Sequence, residues 1–239
     1  MKTKNTVTTT MYLGALFLIL LMLTSGCGDS SISSDNGNGG NGTGDNTSVS
    51  AMLDNEVFDA MSINITEAKA LITEVELETE PSGISHHIRI QPFVIYFHTG
   101  GAVVTVTSGN LPSGTFNKIK FKIHKPEDTE PIPDPEFREG TSGSQRYSFI
   151  IKGTYNGNNF VYKSRKSMNM VIYLAAPITT GNGSRNITLL VNPVLWFSSN
   201  GGILDPGNTN NADEIDDNLK NSFKRAFKDD NKDGLPDDN

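Results

Sequence analysis

Between Lys118 and His124 the chain alternates without a slip: Ile119, Phe121 and Ile123 on one parity, Lys118, Lys120, Lys122 and His124 on the other. A backbone that sends successive side chains to opposite faces is a β-strand with one face buried; a helix would scatter both sets around its axis. The same period recurs where Met61, Ile63 and Ile65 alternate with Ser62, Asn64 and Thr66, and where Leu71, Val75 and Leu77 oppose Glu74, Glu76, Glu78 and Glu80. A lysine stripe and a glutamate stripe complement each other if their strands are neighbours, each directly opposed pair contributing roughly 0.2 to 1 kcal/mol. That adjacency is the expectation. The functional alternative for Lys118, Lys120 and Lys122 is a surface for an acidic polysaccharide or another polyanion.

Further strand patterns follow at His87–His98, Ala102–Val106, Tyr147–Thr154, Phe160–Ser164, Met170–Leu174 and Asn186–Phe197, with Pro193 marking an edge or bulge. Tyr155-Asn156-Gly157-Asn158 predicts a tight hairpin, because Asn-Gly tolerates the positive φ angles of such a turn. About eight to ten strands with short turns and no alternating helices predict a mainly β fold, an antiparallel β-sandwich of prealbumin-like or immunoglobulin-like kind over residues 49–204. Within it, residues 125–145 are rich in Pro, Glu and Gly and are expected to form a flexible loop.

The N-terminus sets the compartment. Lys2 and Lys4 precede an apolar run from Met11 to Leu23, too short to span a bilayer, which reads as a signal peptide over residues 1–26. The sole cysteine, Cys27, follows Ser25-Gly26 and resembles the acylated cysteine of a bacterial lipobox, with Thr24 where that motif usually has Leu. The resemblance implies a thioether-linked lipid on Cys27 and a membrane anchor; Gly28, rather than Asp, favours the outer membrane. Residues 27–48 are Gly, Asn, Ser, Asp and Thr with few exceptions, a tether whose coil reach is roughly 25 Å. A formal charge of −7 disfavours nucleic acid as a partner, since phosphate binding needs clustered Lys and Arg.

At the other end, Asn211 and Glu214 have the spacing of a capping box, and Ala212, Ile215, Leu219, Phe223, Ala226 and Phe227 fall on one helical face. A helix over that stretch is expected to lead directly into Asp229-Asp230-Asn231-Lys232-Asp233-Gly234-Leu235-Pro236-Asp237, the two forming residues 205–239. Oxygens at alternate positions and a glycine at the sixth resemble the calcium loops of EF-hands, dockerins and thrombospondin type 3 repeats. The resemblance implies Ca2+ held by Asp229, Asn231, Asp233, the Leu235 carbonyl and Asp237. The chain ends before the twelfth position that would close an EF-hand site, so binding in the range of about 10⁻⁴ to 10⁻³ M is expected, with Asp205 a candidate extra ligand.

No nucleophile elbow, zinc-protease helix, P-loop or dinucleotide fingerprint is present in the sequence. His86 and His87 are adjacent, so on a strand they point to opposite faces and cannot chelate together. The step Leu111-Pro112-Ser113-Gly114-Thr115-Phe116 is similar to one in prealbumin-like sandwiches and fimbrial lipoproteins of Bacteroides-type bacteria. With Gly153-Thr154-Tyr155-Asn156-Gly157, Trp196-Phe197 and the acidic ending, the stretch from Val49 onward resembles an uncharacterised family of bacterial cell-envelope lipoproteins built on one β-domain. The resemblance implies a fold and no activity. The expectation is a non-enzymatic, lipid-anchored envelope protein presenting a binding or adhesion surface to a protein or polysaccharide. The alternatives are a fimbrial or surface-polymer subunit and an envelope carbohydrate-active enzyme, and the sequence leaves the oligomeric state open.

Overall fold

The computed structural model describes residues 45–54, 62–79, 82–89 and 91–237. The leader, Cys27 and the tether up to residue 44 lie outside the described residues, as does Glu80 of the glutamate stripe. The strands are β1 (Asp45–Leu53), β2 (Ile63–Thr79), β3 (Ser85–Arg89), β4 (Phe93–Phe97), β5 (Val104–Leu111), β6 (Gly114–Ile123), β7 (Phe149–Tyr155), β8 (Asn158–Ser164), β9 (Met168–Thr180), β10 (Arg185–Val191), β11 (Ser198–Ser199), β12 (Gly202–Ile203) and β13 (Phe223–Lys228). One α-helix, α1 (Ala212–Asn221), lies between β12 and β13.

Eleven strands form one curled, mixed sheet whose path runs β5-β1-β10-β13-β9-β6-β2-β7-β8, with β3 and β4 also on β2. The expected purely antiparallel arrangement is corrected at two places: β1 lies parallel to β10, from Thr47 beside Arg185 to Leu53 beside Val191, and β13 meets β9 in parallel at Ala226 and Leu174. Parallel neighbours need a long crossover, and most of the chain lies between β1 and β10. The expected tether boundary also moves. Asp45–Ser48 belong to β1, because Thr47 is buried and the Ser48 and Ser50 hydroxyls donate to Asn186 Oδ1 at 2.7 and 2.8 Å.

The two runs read as separate strands near Ile63 and Leu71 are one strand, the seventeen-residue β2. Leu71 donates its N–H to Ser148 O and accepts from His124 N–H, both at 2.9 Å. The two backbone groups of one strand residue point to the same edge, so β7 and β6 lie end to end along one edge of β2 while β4 and β3 take the other. At the far end of the path β5 returns against β3: a Cβ on Gly109 would sit 2.9 Å from Ile88 O, so a side chain there would hold the seam open. Inside the curl, Val49, Leu189, Ile119, Leu77, Phe149 and Trp196 join one core, with Phe121 and Phe223 5.2 Å apart between ring centres.

Residues 125–145 depart from the expected flexibility. They fold down on the outer face of β2, β4 and β7, where Phe137 packs with Leu71, Ile150 and Tyr147 in a second, smaller core. Proline and glutamate here serve position rather than disorder: Asp134 caps a short 3-10 turn at Pro135–Phe137, and Ser142 and Gln145 form a capping box. This covering layer is why β2 is buried on both faces from Ala68 to Ile72. The expected hairpin is present, with Asn156 at φ 49° and Gly157 at φ 79° between the paired Tyr155 and Asn158.

The C-terminal helix is shorter than expected and is not terminal. Ile215 and Leu219 are buried on α1, but Phe223, Ala226 and Phe227 belong to β13. Val191 pairs with Phe223 and the adjacent Leu190 with Arg225, so Lys224 is an extra residue that turns the strand's two-residue spacing into the three-residue spacing of a helix. Asn211 makes no side-chain cap; it donates to Asp205 O at 3.1 Å, and the helix is entered through the 3-10 turn Thr209–Asn211 capped by Asn208.

Candidate functional site

β13 delivers the acidic loop to the Arg185 end of β10. Asp229 ends the ladder there, its N–H on Asn186 O at 3.0 Å, and it is fully buried. Its Oδ2 accepts from the Thr188 hydroxyl at 2.7 Å and from Gly234 N–H at 3.2 Å, while Oδ1 accepts from Asp233 N–H at 3.0 Å. Asn231 Oδ1 takes the same Asp233 N–H at 3.1 Å, so the first and third oxygens of the motif converge on one donor. The curl needs left-handed backbone at Lys232, φ 58°, and Gly234, φ 83°; the glycine at position six meets the steeper demand. Asp233 Oδ1 accepts from Leu235 N–H at 2.8 Å, and Asp237 returns the chain to β13 through its N–H on Lys228 O at 2.9 Å.

These bonds test the expected Ca2+ ligands. Asp229, Asn231 and Asp233 are linked by these bonds; a carboxylate has about four lone-pair sites and an amide oxygen two, so each keeps acceptor capacity. Asp237 is turned toward Asp230 N–H, to which Oδ2 is bonded at 2.5 Å. The three aspartates do not bring their oxygens within 4.8 Å of one another, the spacing a preformed carboxylate cage would show.

Asp205 is engaged at its own turn: its Oδ1 accepts from Gly207 N–H at 2.8 Å before α1, and both α1 and β13 stand between that turn and the loop in the chain. Around the loop, Asn46 and Ser48 of β1, Thr105 and Ser108 of β5, Ser184, Arg185 and Lys232 line an open polar pocket at the first residues of β1. Arg185 Nη1 lies 3.4 Å and Lys228 Nζ 3.7 Å from Asp230, and Lys232 Nζ donates to Thr105 Oγ1 at 2.8 Å.

The lysine and glutamate stripes are neighbours, as expected, and the ladder sets Glu74 beside Lys122, Glu76 beside Lys120 and Glu78 beside Lys118. Lys118 and Lys120 both pair with Glu78, and Lys120 lies 3.3 Å from Glu76. The hydrogen bond from Lys118, with that from Lys120, holds the Glu78 carboxyl below its ordinary value. The stripe is charge-matched across the ladder, with Lys118 and Lys120 held in ion pairs.

On the other edge of β2 the sequence reading missed a group. His87 pairs across the ladder with Glu76, and its Nδ1 lies 3.2 Å from Glu74 Oε1 and 3.7 Å from Glu76 Oε2. His86 points the other way, edge-on to Phe116 at 5.8 Å, as adjacent strand positions require. His98 bonds Gly100 N–H at 3.1 Å and His124 bonds Glu130 at 2.7 Å, so the four histidines serve separate places.

No protein-family model matches the chain, and no curated protein matches its sequence. Among solved structures the chain is similar to MbnP from Methylosinus trichosporium, with a TM-score of 0.43 and 11% identity over 69% of this chain and 81% of that one.

Proposed function

We propose that this is a non-enzymatic, lipid-anchored protein of the bacterial cell envelope, a sandwich-like β-domain that presents a binding surface and whose C-terminal loop takes a weakly held calcium ion. The anchor is read from Lys2, Lys4, the apolar run ending at Leu23 and Cys27. The observation that carries the calcium reading is the fixed position of Asp229: a buried carboxylate, tied to Thr188 of β10, around which the next five residues curl. Filling the loop would draw Asp237 inward and brace the first residues of β1. Asn46 and Ser48 of that strand share the pocket with Asp230 and Lys232, so an ion in the loop stiffens this end of the sheet.

The test is a Ca2+ titration of the full chain with hydrogen exchange followed over residues 229–237. Protection rising at millimolar Ca2+, and abolished by Asp233→Asn, supports the reading; exchange unchanged at millimolar ion overturns it. Mass spectrometry of residue 27 tests the anchor separately, an unmodified cysteine overturning that part alone.

A further inference from the structure

We propose that Glu74, Glu76 and His87 form a surface site for a zinc ion, outside the acidic loop and independent of it. One carboxylate oxygen from each glutamate and one imidazole nitrogen lie within 4.8 Å of one another. Zinc bonds of about 2.0 to 2.2 Å in a tetrahedron require ligand atoms roughly 3.3 to 3.6 Å apart. The two His87 distances, 3.2 Å to Glu74 and 3.7 Å to Glu76, bracket that edge, so an ion can be seated by rotamer adjustments with the backbone left in place.

The sheet builds this geometry. Glu74 and Glu76 are two apart on β2 and share its outer face, and His87 stands directly opposite Glu76 on the antiparallel β3. Lys120 is the competing cation, 3.3 Å from Glu76, but it keeps Glu78 and the Ser85 hydroxyl at 3.1 Å, so zinc would leave it partnered. The His87 and Glu74 side chains are 47% and 44% exposed, so solvent reaches the cluster and water can take a fourth position. Two hard oxygens and one borderline nitrogen suit zinc; calcium asks for six to eight oxygens, and no thiol is present for softer ions. The bound ion clamps β3 to β2 near the seam where β3 meets β5.

The full chain, stripped with chelator, is titrated with Zn2+ against a chromogenic competitor. One zinc per chain is expected, with His87→Ala and Glu74→Gln each weakening binding at least about tenfold and Asp229→Asn leaving it unchanged. Tryptophan emission reports that each variant is folded, since the sole tryptophan, Trp196, is buried in the core. With Co2+ in place of zinc, the intense visible bands of four-coordinate cobalt are expected and are lost in His87→Ala. No stoichiometric zinc, or wild-type affinity in either the His87 or the Glu74 variant, overturns the assignment.

Discussion

Asp229 accepts a hydrogen bond from the Thr188 hydroxyl at 2.7 Å, and neither residue touches solvent. Thr188 in turn accepts from Asn186 Nδ2 at 3.0 Å, which also donates to Asp229 O at 2.9 Å, so a closed polar network sits where β10, β13 and the acidic loop meet. Thr188→Val keeps the shape and removes the donor. A buried carboxylate short of one partner costs about 1 to 3 kcal/mol. Urea denaturation is expected to show that loss, and the double variant Thr188→Val with Asp229→Asn to lose less than the sum of the singles, because the two side chains form one interaction. Strict additivity would mean that they act separately.

Lys69 makes the opposite arrangement, a buried cation between two anions. On β2 it is 4% exposed, and its Nζ lies 2.6 Å from Asp134 and 2.5 Å from Glu136 of the covering segment. Burial works to lower the ammonium's pKa, but the hydrogen bonds to Asp134 and Glu136 outweigh it and hold the value above the ordinary lysine range. Burial raises the two carboxyls, but the hydrogen bonds from Lys69, the Glu136 N–H and Tyr96 to Asp134, and from Lys69 and Lys152 to Glu136, together outweigh it, leaving Asp134 and Glu136 below 3.8 and 4.5. Depressed carboxyls stabilise fully above those ordinary values and lose their contribution as pH falls through the folded ones. Limited proteolysis of residues 125–145 is therefore expected to begin in acid, below about pH 4, before the core unfolds. Lys69→Met takes the charged partner from Asp134 and leaves Glu136 only Lys152; it should cost about 3 kcal/mol and expose the segment at neutral pH.

The contrast between what the sequence disclosed and what it hid follows from range. Period-two alternation is local, so the facing stripes of β2 and β6 were legible as neighbours, while the pairing of Glu76 with Lys120 is fixed only by the ladder. The anchoring of residues 125–145 depends on Lys69 meeting Asp134 across sixty-five positions, and composition alone reads such a segment as loose. β13 was hidden by one residue, since the bulge at Lys224 spaces Phe223 and Ala226 as a helix would. The zinc triad depends on the register of β3 against β2. The signal was present, two glutamates on one strand face and a histidine on the next segment, but which glutamate faces His87 is fixed only by the ladder.

Gly153 is a second place where a local motif serves a distant contact. A Cβ built there would stand 2.1 Å from Asn64 O, a backbone atom held in the ladder between β2 and β7. The pairing shifts by one residue at this point, between Ile65 and Glu67, and the close approach is part of that bulge. Gly153→Ala must push the strands apart, and a loss of about 1 to 3 kcal/mol is expected, as for other overpacked sites. Gly143→Ala is the matched control, because nothing lies within 4 Å of its added carbon. Equal midpoints of thermal unfolding for the two variants would contradict the geometry.

Asp216 reverses the pH behaviour of the covering segment. On α1 it is 7% exposed and accepts from the Tyr162 hydroxyl at 2.7 Å, which fastens the helix to β8. Burial raises its carboxyl above 3.8, and the hydrogen bonds from Ser164 and Tyr162 do not fully offset that. A carboxyl raised by folding favours the protonated state, so its contribution is greatest in acid and is lost as pH rises through the folded value. Asp216→Asn keeps an acceptor for Tyr162 and has no charge to desolvate. The variant is expected to be more stable than wild type at pH 7, with the advantage vanishing in acid, as read by urea denaturation at the two pH values. Because Lys69 and Asp216 drive stability in opposite directions with pH, the single variants Lys69→Met and Asp216→Asn should flatten opposite limbs of the stability profile. Parallel profiles for wild type and Asp216→Asn would show that the Asp216 carboxyl is as well solvated in the fold as in the unfolded chain.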